Sequence, residues 1–148
     1  MKNEEKSRSI PKRYGDHDNQ AEVLNEPAAV YGTNSLYLLA ASAISKSYIR
    51  DILNLSKLSV SELIDIVPIS IDTYKRKTEF GSAVTEKVLE IEEVYRSGVA
   101  AFGDSFYSWM DAENVAFGGI RPKELLKNSF GVRLLLDEIG RMEHGVLA

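Results

Sequence analysis

The 148-residue sequence predicts an all-α fold, on three observations. Beyond residue 35, apolar side chains recur at steps of three and four, the spacing of one helix face. Ser, Asp and Gly stand where such helices would start and stop. No run alternates apolar and polar residues for long enough to read as a strand. The length fits one compact domain or two very small ones, and a hydrophobic content of 44% suffices for a core.

Taken in order, residues 1–30 read as a flexible arm. Charges of both signs alternate there, Pro11, Gly15 and Pro27 interrupt it, and it has too little apolar surface to offset its ordering entropy. Over residues 35–58, Leu36, Leu39 and Ala43, then Tyr48, Ile49, Ile52 and Leu53, predict one or two helices with a break between Ser45 and Ser47. Ser59-Val60-Ser61-Glu62 is a capping box, in which the first and fourth side chains each accept from the other's backbone N–H. Pro68 stops the helix that follows. Ser70 caps a shorter helix over 71–77, with Ile69 and Tyr74 spaced as a hydrophobic staple. Helix, tight turn and second helix ending in Lys75-Arg76-Lys77 outline a helix-turn-helix, assigned to residues 31–80.

Residues 81–148 form the second region. Val84, Val88, Ile91, Tyr95, Val99 and Phe102 make one stripe of a long helix, opposite Glu86, Glu90, Glu93 and Arg96. Gly103 ends it, and Asp104 is placed to cap a helix holding Phe106, Trp109 and Met110. A loop over 112–121 contains Gly118-Gly119, Pro122 takes the first position of another helix, and Leu125 and Leu126 turn that helix inward. The last helix, about 130–143, presents Val132, Leu135, Leu136, Ile139 and Met142 on one face. Gly145 then frees a short apolar tail of Val146, Leu147 and Ala148.

A net charge of −4 and a pI near 5.3 exclude a chain coated in basic residues for nucleic acid. Residues 27–80 carry six Lys/Arg against five Asp/Glu, whereas 81–148 carry seven against eleven. The middle can therefore approach phosphate where the C-terminal half repels it. With no Cys there is no thiolate metal site. The polar N-terminus has no signal-like apolar segment, and the longest apolar stretch, 36–44, is too short to span a bilayer. These features point to the cytoplasm, away from membranes. With only His17 and His144, no His pair at metal spacing and no Gly-x-Ser-x-Gly elbow, catalytic residues, cofactors and metals are all expected to be none.

The C-terminal order is more specific. Phe102-Gly103-Asp104, Trp109-Met110, Phe117-Gly118-Gly119-Ile120-Arg121-Pro122, Leu125-Leu126, Gly131 and Gly140-Arg141-Met142-Glu143-His144-Gly145-Val146 succeed one another. Over residues 80–148 the chain resembles the toxin-binding domain of the Xre, MbcA and ParS antitoxins. Residues 69–77 resemble the recognition-helix segment of the same antitoxins. Met110 and Phe117 stand where many relatives carry Leu, and both remain apolar.

The resemblance implies an Xre-like helix-turn-helix followed by a small helical toxin-binding domain. It implies the antitoxin of a type II pair, whose partner is a toxin with a RES domain that consumes NAD. The antitoxin's C-terminal domain would cover the toxin's active-site cleft in a hetero-oligomer, and the complex would repress its own promoter. A homodimer is expected because helix-turn-helix proteins usually read paired half-sites. On this reading Gly118, Gly119, Arg141, Glu143, His144, Gly145, Val146, Leu147 and Ala148 contact toxin. Ser70, Asp72, Thr73, Lys75, Arg76 and Lys77 contact DNA.

Each group also has a plainer explanation. Cations at the end of a helix favour its macrodipole, which covers Lys75, Arg76, Lys77, Arg141 and His144. A Gly pair is usually a turn. Two alternatives follow: a stand-alone transcription regulator whose C-terminal half dimerises or senses a ligand, and an adaptor whose helix-turn-helix no longer binds DNA.

Overall fold

Short polar side chains open most of the helices in the computed structural model, which describes residues 40–145. Ser45 accepts from the Tyr48 backbone N–H and starts α1 (Lys46–Ser56). Ser59 accepts from the Glu62 N–H while the Glu62 carboxylate accepts from Ser59, so the capping box forms and starts α2 (Val60–Ile66). Ser70 does the same for α3 (Ile71–Arg76) through the Thr73 N–H. The turn between α2 and α3 holds Pro68, which lacks the N–H to continue a helix.

The longest helix, α4 (Ser82–Phe102), ends at Gly103 with φ 60°. Asp104 then departs from expectation. It occupies the cap position of α5 (Ser105–Asp111), but its helical dihedrals (φ −65°, ψ −21°) give no side-chain cap bond. The Ser105 hydroxyl instead donates back to the Phe102 carbonyl at 2.6 Å. Pro122 takes the first position of its segment, as expected, although Pro122–Lys127 winds as a 3₁₀ helix. Asn128 caps α6 (Ser129–Glu143) by accepting from the Gly131 N–H at 2.8 Å.

Among the described residues, the one sheet is a two-stranded clasp. β1 (Ile44–Ser45) pairs antiparallel with β2 (Glu79–Phe80), Ile44 opposite Phe80, and the Lys46 N–H extends the pairing to the Thr78 carbonyl at 2.8 Å. Two residues per strand leave no alternation for a sequence to display. The clasp ties the start of α1 to the end of α3 and so closes the helix-turn-helix region on itself.

α4 packs against α1 and against α6. Ile44, Tyr48, Ile49 and Ile52 meet Val84, Val88, Ile91 and Tyr95, and these join Val132, Leu135 and Ile139 in one apolar cluster that crosses residue 80 without a break. Each fully buried Ile or Leu contributes roughly 1.5–3 kcal/mol by leaving water. Among the described residues, one acidic side chain is buried beside this cluster. Glu92 on α4 is 3% exposed. The Tyr48 hydroxyl on α1 donates to one of its oxygens and Arg96 Nε donates to the other at 2.6 Å. Partners of this kind offset the cost of taking a carboxyl group out of water. Among the described residues, no helix is long and apolar enough to cross a membrane.

Candidate functional site

The basic end of α3 is built as a surface. Ser70, Asp72, Lys75, Arg76 and Lys77 are exposed and Thr73 is half-buried, while Tyr74 turns inward to stack on Phe80, centroids 6.1 Å apart. The Ser70 hydroxyl donates to Thr73 Oγ1 at 3.0 Å, so these two side chains hold one another at the start of the helix. Lys75, Arg76 and Lys77 crowd its last turn, where cations favour the macrodipole. A fourth cation joins them. Lys46 Nζ donates to the Lys75 carbonyl at 3.0 Å and lies 4.8 Å above the Tyr74 ring. Lys46 was not singled out from the sequence, because it stands 29 residues upstream and arrives only through the β clasp.

The loop over 112–121 is an ordered turn. Asn114 pairs with Ile120 in a single antiparallel bridge. Its side chain accepts from the Ala116 N–H at 2.9 Å, and its carbonyl accepts from Phe117 and Gly119. A 3₁₀ turn, Val115–Phe117, leads into Gly118 (φ 68°) and Gly119 (φ 85°). Both lie in the left-handed region that favours glycine. No atom crowds either one, so their role is conformational. Phe117 anchors the turn: it packs edge-on against Trp109, which stacks on Phe106, which meets Tyr95 of α4 edge-on at 5.7 Å.

Between α2 and the Pro122–Lys127 segment lies an open cleft of about 280 Å³, lined among others by Glu62, Asp65, Arg121, Lys123 and Glu124. Its charges are largely paired. Lys123 Nζ sits 2.7 Å from Asp111 and 2.8 Å from Glu62, and Arg121 bonds Glu124 through two nitrogens. The Lys123 hydrogen bond, then the Ser59 backbone N–H, hold Glu62 below its ordinary carboxylate value. Bonds to Asp111 and then Glu62 hold Lys123 above its ordinary value.

At the end of α6, Arg141, Glu143, His144 and Gly145 are all exposed. Arg141 pairs with Glu138 one turn back. Gly145 takes φ 67°. Val146, Leu147 and Ala148 lie outside the described residues. The two stretches expected to contact toxin thus sit on different elements, and no hydrogen bond or ion pair joins them among the described residues.

No curated protein matches the chain. The family resemblance, in contrast, is confirmed for one segment: residues 97–145 match the family model described as the antitoxin Xre/MbcA/ParS C-terminal toxin-binding domain, which runs from within α4 through the glycine turn to Gly145.

Proposed function

We propose that the protein is the antitoxin of a type II toxin–antitoxin pair and neutralises a RES-domain, NAD-consuming toxin by covering its active site. The observation that carries this reading is the match of residues 97–145 to a toxin-binding domain. The exposed Gly118-Gly119 turn and the exposed Arg141, Glu143, His144 and Gly145 are its contact surfaces, with the apolar Val146, Leu147 and Ala148 that follow in the sequence as further contacts. Residues 31–80 serve as the DNA-binding region and 81–148 as the toxin-binding region, although they share a core. The protein acts in the cytoplasm by binding and not by catalysis.

Promoter binding is the second half of the proposal. The Ser70 cap, with Asp72 and Thr73 beside it, faces base edges, and Lys75, Arg76 and Lys77 face phosphate. Their common exposure supports this, as does the fourth cation, Lys46, at the same helix end. A homodimer would place two such surfaces on paired half-sites.

The test is growth and cellular NAD on expressing the neighbouring gene, alone and with this protein. Arrest with NAD loss, both reversed by co-expression, is the expected result. A harmless neighbour, or no rescue, overturns the antitoxin reading in favour of a stand-alone regulator.

A further inference from the structure

Exposed large apolar side chains are unevenly placed on this molecule. Among the described residues they are Ile71, Val115, Ile120, Phe130 and Leu134, and all but Ile71 fall within residues 97–145. Val115 is the extreme case, at 95% exposure. Water-exposed apolar side chains are common singly. Val115 differs because the backbone beneath it is fixed.

The turn is closed at its ends by the Asn114–Ile120 bridge, capped inside by the Asn114 side chain, reversed by two left-handed glycines and anchored through Phe117 to Trp109. A loop held only by solvent would let Val115 fold back onto its own surface. Here the hydrogen bonds commit the backbone and leave the isopropyl group projecting, with Ile120 at 44% exposure across the bridge. Such preorganisation lowers the ordering cost of binding. A small rigid apolar projection suits a recess in another protein's surface, the setting in which a few residues carry most of an interface's energy.

We infer that Val115 and Ile120, held out by the Asn114–Ile120 turn, are an apolar knob that seats in a recess on the partner toxin. Gly118 and Gly119 shape this knob and need not touch the toxin themselves. The inference rests on the proposed antitoxin function and adds to it a contact site separate from the Arg141–Gly145 end. The occupant is the toxin and not a second copy of this chain, because the segment that bears the knob is the one matched to a toxin-binding domain.

The test measures binding of the product of the neighbouring gene to the full chain and to Val115→Asp, Val115→Ala and a truncation lacking residues 146–148. Self-association is followed by sedimentation. Val115 touches no core position, so Val115→Asp should melt with the wild type. The expected result is affinity weakened about 30-fold or more by Val115→Asp and less by Val115→Ala, with self-association unchanged. Wild-type affinity in Val115→Asp overturns the inference, and if the truncation is weakened at the same time the antitoxin reading still stands. Loss of self-association in Val115→Asp overturns it in favour of a second copy as occupant. A wild-type chain that does not bind the product overturns both the inference and the reading beneath it.

Discussion

The Phe106 ring of α5 packs against Gly98 of α4, and a Cβ placed on Gly98 would overlap ring atoms Cζ, Cε1 and Cε2. Glycine within a 21-residue helix costs about 1 kcal/mol relative to alanine. It is accommodated because it lets the ring enter. Phe106 is 1% exposed and held by Tyr95 on one side and Trp109 on the other, so it has little room to retreat. Gly98→Ala should therefore destabilise the protein by about 1–3 kcal/mol despite its better helix propensity, as overpacking of a filled core does. Denaturant unfolding of the pair checks this. Equal or greater stability in the variant would mean that the ring yields freely.

This contact also marks where reading the sequence stops. The Ser59 box, the Ser70 cap and the Gly103 stop were legible because each depends on residues at most a few positions apart. The apolar stripe of α4 was legible for the same reason. Gly98 lies within that stripe's helix but its role depends on Phe106, which approaches only after the chain reverses at Gly103. Glu92 is a similar case. It reads as one more acid on an acidic helix, and only the docking of α1 brings the Tyr48 hydroxyl, 44 residues away, to it. In the candidate site, the glycine turn and the basic end of α3 were visible as motifs. Lys46, Lys123 and the outward Val115 were not, since tertiary contact or its absence defines them.

Lys123 bridges α2 to the end of α5 through Glu62 and Asp111, and the pairing should appear in the pH dependence of stability. Glu62 has a folded value held below its ordinary 4.5. Its contribution is therefore present above pH 4.5 and is lost as pH falls through the lower, folded value. Lys123 is shifted the other way, above 10.5. Its contribution is complete below pH 10.5 and is lost as pH rises through the folded value. Glu62→Gln keeps an oxygen for the capping box but removes the charge opposite Lys123. Because the Glu62 side chain is 39% exposed, solvent screening limits the loss to under about 1 kcal/mol at neutral pH. Thermal melts from pH 3 to 7 should show a smaller acid-induced drop in the variant. Parallel curves would show that the ion pair adds nothing beyond the hydrogen bonds of the box.

The basic end of α3 separates two roles for the same cations. If Lys75, Arg76 and Lys77 only complement the helix macrodipole, replacing all three by Ala costs some stability and leaves DNA affinity unchanged. If they lie on phosphate, as proposed, each releases a counterion, and the slope of log affinity against log salt falls by about 0.9 for every cation removed from the backbone. A gel shift on the upstream sequence across a salt series reads that slope directly. Lys46→Ala is the informative companion. Its Nζ bonds the Lys75 carbonyl and covers the Tyr74 ring, so its main loss should be in the order of the α3 terminus, with a smaller change in slope than the triple variant. A specific complex whose slope is the same in wild type and triple variant would place the phosphate contacts elsewhere on the chain. The Lys75-Arg76-Lys77 turn would then be a helix end and not a reading head.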